Sequence, residues 1–371
     1  MNLLKHISAL RVFMIATVVL LMCACLFNSS TVAQQNGVVR GEIGKRLDEY
    51  FTSIAASGFS GVLLVVKNDQ VLLSKGYGLA NSRKHTPFTD KTVVDIGSIT
   101  KQFTAAAILK LEMQGKLRTT DAIGKHIPGV PAEKSAITIH QLLTHSAGFE
   151  NNFRQDDYAP LQRDEFIKLA MDAKLKFAPG TDFNYSNIGY SLLGAIIEIV
   201  TKQSYERYLF ENLFTPAGIT ETGYQIPKWK RDEVAVGYYI YGFEWGSPLD
   251  KAWDTDGPYW NMRAATGMLS TVSDLYKWHL ALGGEEVLSK AAKLRFFTPH
   301  IVAKHYGYGW VFTKTPRGTT LIWHDGSNKV FNAYFRRYVD EGVVAIIATN
   351  NASHQAEKEI GKLDELIFGK N

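Results

Sequence analysis

Ser98-Ile99-Thr100-Lys101 is the one Ser-x-x-Lys run in the chain, and it stands where a helical pattern begins. On a helix, residues three apart share a face with adjacent side chains, so the Ser98 hydroxyl would lie beside the Lys101 amine. A serine hydroxyl is a poor nucleophile until a neighbour takes its proton, and a partly buried lysine can have its pKa lowered enough to do so. The N-terminus of that helix would also aim backbone N–H groups and partial positive charge at Ser98, which suits a developing oxyanion. The same four letters equally describe an N-cap serine followed by a solvated lysine. Spacing alone does not separate the two readings.

The surroundings do. Asp95-Ile96-Gly97-Ser98-Ile99-Thr100-Lys101-Gln102-Phe103-Thr104 closely resembles the nucleophile segment of class C β-lactamases and their penicillin-binding relatives. The resemblance implies two further elements. One is Tyr-x-Asn, matched by Tyr185-Ser186-Asn187 between Pro179-Gly180 and the helix opened by Gly189-Tyr190. Tyr185 would then shuttle a proton, its phenolate stabilised by a cationic Lys101, and Asn187 would fix Lys101 and touch the substrate amide. A second match, Tyr259-Trp260-Asn261, lacks both the Pro-Gly approach and the following helix start. The other element is a strand triad, often Lys-Thr-Gly, matched by His324-Asp325-Gly326 after the apolar Leu321-Ile322-Trp323. Gly326 would let substrate lie close against the strand, and the Ser327 backbone N–H would join that of Ser98 in an oxyanion hole. His-x-Gly departs from the lactamase form and is similar to D,D-peptidase, D-amino-acid amidase and esterase members. A neutral His324 would hold a substrate carboxylate less firmly than lysine does, which counts against strong β-lactam hydrolysis.

Gln141-Leu142-Leu143-Thr144-His145-Ser146-Ala147-Gly148-Phe149 and Ala264-Ala265-Thr266-Gly267-Met268 add to the resemblance without evident chemistry. His140 and His145 lack the His-x-x-x-His interval of a metal helix and read as structural. The resemblance spans about Gly61 to Asn351 and implies no metal or cofactor.

The elements that must position these residues follow from hydrophobic period. Val39 to Ser57 reads as a helix with Ile43, Leu47, Tyr50, Phe51 and Ile54 on one face. Gly61–Lys67 and Val71–Gly78 read as a hairpin turning at Asn68-Asp69. A helix is predicted from Ser98 to the Gly115 stop, and from about Asp121 to Thr222 the pattern is mainly helical: Ile139–Leu143, Arg163–Ala173, Gly189–Thr201 and Ser204–Leu213. Strands return at Gly307–Phe312, Thr319–Trp323, Asn332–Tyr338 and Val343–Thr349, and Glu357–Phe368 closes as a helix. The predicted fold is therefore α/β in the α+β sense: a mostly antiparallel sheet built from both chain ends and flanked by helices. Its α/β part covers about residues 38–115 and 262–371, with a mainly helical region, about 116–261, inserted between.

The first residues carry Lys5 and Arg11, an unbroken apolar run from Val12 to Phe27, and small polar residues ending at Ala33. Residues 1–33 read as a secretory signal peptide, with an uncleaved anchor or a lipid-modified Cys25 as alternatives. Each exports the protein, to the periplasm or the outside. Cys23 and Cys25 are the only cysteines, so the remaining chain has no thiol nucleophile, thiolate zinc site or disulfide. Of 371 residues 46% are hydrophobic and 21% charged, which permits a large core. The net charge of +5 is scattered rather than gathered into a basic arm, against nucleic-acid binding. The expected partner is a small ester, amide, β-lactam or cell-wall peptide, with a membrane engaged only through the leader. Acyl transfer through Ser98, Lys101 and Tyr185 is the expected chemistry. The rival from another class is a protein that acylates and then deacylates slowly, or binds without catalysis.

Overall fold

Val343–Thr349 is buried along all seven residues, and its side chains divide by the period of two that a strand imposes. Val343, Ala345 and Ile347 enter one apolar cluster, whereas Val344, Ile346 and Ala348 enter another on the opposite face. A segment that must bury both faces belongs at the centre of a sheet. The computed structural model, which describes residues 37–369 except 154, 155 and 252, puts it there. The expected leader, residues 1–33 with Cys23 and Cys25, lies outside the described residues.

Seven strands form one antiparallel sheet: β1 Val38–Val39, β2 Gly61–Lys67, β3 Gln70–Tyr77, β4 Val311–Lys314, β5 Thr320–Asn328, β6 Phe331–Tyr338 and β7 Val343–Thr349. Their order across the sheet is β1-β3-β2-β7-β6-β5-β4, so strands from the two ends of the chain meet where β2 pairs β7. One face is covered by helix α1, Gly41–Ala55, and by the terminal helix, Gln355–Phe368. There Leu47, Phe51, Leu363 and Ile367 pack on Leu63, Val65, Val343 and Ile347. Each such apolar side chain taken from water contributes about 1.5–3 kcal/mol.

The other face carries the helices that matter for the site: α2 Thr100–Met113, α3 Ile139–Leu143, α4 Asn187–Thr201 and α5 Val272–Ala281. α2 buries eleven of its fourteen residues and runs through the middle of this layer. Ala105, Ala106 and Ala107 have no bulk to keep neighbouring helices away. A helix buried all round has no amphipathic stripe.

Several boundaries differ from those expected. α2 begins at Thr100, and Ser98 sits in a preceding 3-10 turn, Gly97–Ile99. The strand expected over Gly307–Phe312 is instead β4, Val311–Lys314, because Gly309 takes a left-handed φ of +74° and packs against the Lys101 carbonyl. The strand expected to stop at Trp323 runs on to Asn328, which carries His324, Gly326 and Ser327 into β5. α5 had no predicted counterpart. Among the described residues no helix is long and apolar enough to cross a membrane.

Candidate active site

From Thr92 to Leu109 every residue is buried except Ser98. The turn that brings it out is held by its own polar groups. Asp95 Oδ1 accepts from the Gly97 N–H at 2.8 Å, and Thr100 Oγ1 donates to the Gly97 carbonyl at 2.7 Å. Gly97 itself has φ +50°, a conformation that favours glycine.

Two glycines set how closely β5 approaches this turn. A Cβ on Gly326 would stand 1.9 Å from the Ile96 carbonyl oxygen, and a Cβ on Gly97 would stand 2.5 Å from the Ser327 nitrogen. The backbones are therefore in direct contact, and the Ser327 amide lies against the turn that presents Ser98. Asp95 clamps the same junction from below: its Oδ2 accepts a short hydrogen bond from Asn328 Nδ2, which also donates to Tyr158 Oη at 3.0 Å. Burial pushes the Asp95 carboxyl up to about 6, against the opposing pull of those donors.

Lys101 lies fully buried one turn below Ser98. Its Nζ is 3.1 Å from Ser98 Oγ, 2.6 Å from Asn187 Oδ1 and 2.8 Å from the Ala265 carbonyl oxygen. Burial lowers its pKa well below the ordinary lysine range, with the Asp325 carboxylate pulling weakly the other way. A neutral amine has two N–H donors and one lone pair. Asn187 Oδ1 and the Ala265 carbonyl can only accept, so they take the two donors, and the lone pair faces the one partner that can donate, the Ser98 hydroxyl. The solvated-lysine reading of Ser-x-x-Lys is excluded by this burial.

Tyr185 meets Ser98 through a side-chain hydrogen bond, and Lys101 Nζ stands 4.7 Å from the centre of its ring. Burial works against the expected phenolate. Burial raises the phenol pKa above its usual value, only partly offset by the Ser98 hydrogen bond, and the nearby amine faces the ring. Tyr185 is thus a neutral O–H at ordinary pH. Asn187 opens α4, and its Nδ2 donates to Asn152 Oδ1 at 2.9 Å, which leaves one Nδ2 hydrogen for a ligand. Ser186 between them caps α4, accepting from the Gly189 N–H at 3.0 Å.

His324 is placed beside this group, its ring centre 6.3 Å from that of Tyr185, but it is not offered to a ligand. Nδ1 lies 2.5 Å from the Asp325 carbonyl oxygen, and Nε2 lies 3.1 Å from Tyr306 Oη. Both nitrogens are engaged within the protein, an arrangement that leaves the carboxylate-binding role expected of His324 no free N–H. Its pKa is lowered, chiefly by burial.

Sequence reasoning missed Asn152, Asp95 as a clamp, and the Ala265 carbonyl. Asn152 carries no spacing signal, and a backbone acceptor leaves no mark in the letters at all. Tyr259-Trp260-Asn261 does not compete for the site, since Trp260 is buried against Phe166 and Asn261 Nδ2 donates to the Asp156 carbonyl at 3.3 Å. His140 bonds Tyr308 Oη at 2.7 Å. No group of three or more His, Cys, Asp or Glu side chains is placed to hold a metal among the described residues. The aromatic residues between 238 and 260 divide: Tyr238 and Trp260 are core, Trp245 packs between Tyr158 and Phe331, and Tyr239, Tyr241 and Phe243 are exposed.

Comparison with known proteins places this arrangement. A model of the Beta-lactamase family matches residues 47–366. Protein flp of Staphylococcus aureus (strain COL) is 29% identical over 320 residues, 82% of this chain, and the chain spans 62% of that relative's length. The octameric penicillin-binding protein homologue from Pyrococcus abyssi superimposes with a TM-score of 0.75 at 28% identity, covering 89% of this chain and 78% of that one. The D-amino acid amidase from Ochrobactrum anthropi SV3, in complex with D-phenylalanine, shares the fold with a TM-score of 0.73 at 20% identity, covering 88% and 99%. With a buried lysine against a half-buried serine and a family match over most of its length, the chain belongs to the beta-lactamase family of serine hydrolases and penicillin-binding proteins.

Proposed function

We propose that the protein is an exported serine hydrolase that forms an acyl-enzyme on Ser98 and hydrolyses uncharged esters or amides in preference to β-lactams. The observation that carries this reading is the buried Lys101 amine, whose only partner able to donate a proton is the Ser98 hydroxyl. Lys101 takes that proton as Ser98 Oγ bonds to the substrate carbonyl carbon. The oxyanion is held by the backbone N–H groups of Ser98 and Ser327, each donor contributing on the order of 3 kcal/mol to the barrier. The bond to the leaving group then breaks. Tyr185 passes the leaving oxygen or nitrogen a proton, and the proton held on Lys101 replaces it. Water repeats the sequence on the acyl-enzyme and restores the free Ser98 hydroxyl. No metal or cofactor enters these steps.

The preference for uncharged substrates rests on His324, whose two nitrogens are engaged by Tyr306 and Asp325 and give a substrate carboxylate no N–H. Tyr158, Trp245 and Phe331 form an aromatic wall that reaches the end of β5 through Asn328, which suits an apolar acyl or aryl group. Export rests on the sequence of residues 1–33.

The test is intact-mass spectrometry with a fluorophosphonate and a penicillin, beside p-nitrophenyl butyrate hydrolysis, with Ser98→Ala as control. Phosphonate adduct on wild type only, with steady ester turnover, is the expected result. Ester turnover that survives Ser98→Ala sinks the assignment. One burst equivalent followed by silence supports instead a slow-deacylating binding protein.

A further inference from the structure

His145 grips three consecutive residues of the segment that holds the proton shuttle. Its carbonyl accepts from the Asn184 N–H at 2.9 Å, its ring lies 4.3 Å from the Tyr185 ring, and its Nδ1 accepts from the Ser186 N–H at 2.9 Å. It does this from a left-handed backbone, φ +59°, that a non-glycine residue keeps only when its surroundings impose it. On its far side, Nε2 lies 3.2 Å from Tyr306 Oη, and Tyr306 Oη lies 3.1 Å from His324 Nε2. All three residues are buried, at 1%, 3% and 2% exposure, so none is a substrate contact.

The direction of every hydrogen bond in this chain follows from its two ends. An amide N–H can only donate, so His145 Nδ1 carries no proton and Nε2–H donates to Tyr306 Oη. A carbonyl can only accept, so His324 Nδ1–H donates to the Asp325 oxygen 2.5 Å away, and in the neutral ring that burial favours its Nε2 accepts the Tyr306 proton. The chain therefore runs one way from Ser186 N–H through His145, Tyr306 and His324 to the Asp325 carbonyl. Because it starts on a peptide N–H and ends on a peptide oxygen, neither end can take up or release a proton. It can transmit position but not charge.

We infer that His145, Tyr306 and His324 form a buried positioning strut that holds the Tyr185-Ser186-Asn187 segment in register with β5, the strand carrying the Ser327 amide. The inference rests on the proposed reaction at Ser98. The strut joins the element that moves the proton to the element that receives the oxyanion. Shifts of well under an ångström between such groups fall mainly on the chemical step rather than on binding.

Tyr306→Phe tests it, since the ring stays while the hydroxyl's links to both histidines are lost, together with its contact to Tyr190. Turnover of p-nitrophenyl butyrate should fall in kcat by about tenfold or more with KM within about twofold. The rate of Ser98 phosphonylation should fall in parallel, and the melting temperature should stay within a few degrees. Unchanged kcat with lowered melting would make the strut purely structural and overturn the inference, as would a raised KM at constant kcat. Long-range 1H–15N spectra of histidine-labelled wild type give a reading independent of activity. Neutral Nε2–H His145 and neutral Nδ1–H His324 are expected, and either opposite tautomer overturns the strut. If Ser98→Ala leaves turnover intact, the proposed function fails, and those tautomers still decide the strut.

Discussion

Lys101 donates to Asn187 Oδ1 at 2.6 Å across 86 residues of sequence, and this contact more than any other decides which way the amine's lone pair points. Asn187 is a neutral acceptor. It fixes the amine without placing a negative charge beside it, so burial still leaves the Lys101 pKa depressed.

Replacing that acceptor by a charged one should expose the proton economy of the site. Neutral Lys101 is the active form, so activity is present above its folded pKa and lost as pH falls through it. Asn187→Asp puts a carboxylate beside the amine and raises that pKa by about 1–3 units. The acid limb of the kcat/KM profile should move to higher pH by a similar amount. A limb that stays in place would mean Lys101 does not set it.

Tyr185→Phe removes the proton shuttle while keeping the ring that packs on His145. We expect kcat to drop by roughly 100-fold or more, the usual weight of a positioned general acid or base. Stopped-flow acylation and steady-state deacylation should both slow. Wild-type rates would assign the proton traffic to Lys101 alone.

Gly326→Ala should be among the least tolerated substitutions near the site. The new methyl would meet the Ile96 carbonyl at 1.9 Å, and backbone cannot rotate away as a side chain can. Overpacking of this kind costs about 1–3 kcal/mol, and it pushes β5 from the Ser98 turn, so ester turnover should fall further than stability does. Urea melts and kcat measured on the same preparation decide it. Normal turnover would show that the contact is not needed.

Asp95 gives a stability signature in acid. Its folded pKa is raised from an ordinary 3.8 to about 6, so the folded state binds more protons than the unfolded one between those values. Its contribution is present below the unfolded pKa and lost as pH rises through about 6. The span is roughly 2 pK units, or about 3 kcal/mol. Asp95→Asn should therefore show a flatter dependence of unfolding free energy on pH between about 4 and 6, by urea titration. Parallel curves for the two proteins would place the proton elsewhere.

The site splits between what is local in sequence and what is not. Ser98 and Lys101 were legible because three-residue spacing places them side by side and the segment around them, Asp95 to Thr104, resembles the family's nucleophile segment. The strands β2 and β7 were legible as short unbroken apolar runs bounded by turn residues, as befits strands buried on both faces, and β3 and β6 as apolar and aromatic runs between turns. Tyr185, Asn187, Gly326 and Ser327 were reached only through the resemblance, since nothing in their spacing says that they meet Ser98. α5 was missed because its pattern is short and weak, and the strand predicted at Gly307 failed because close contact with α2 overrides propensity at Gly309.

By itself, the sequence determined the pairing of Ser98 with Lys101, the antiparallel sheet drawn from both chain ends, and the absence of cysteine chemistry beyond Cys25. Only the tertiary structure decided the protonation states. Burial lowers the pKa of Lys101 and raises that of Tyr185, which favours the amine as base and the phenol as O–H, and it closes His324 into a chain with Tyr306 and His145. The physical reason is that a pKa and a hydrogen-bond direction depend on which groups surround a side chain in space, and those groups come from segments that no local period connects.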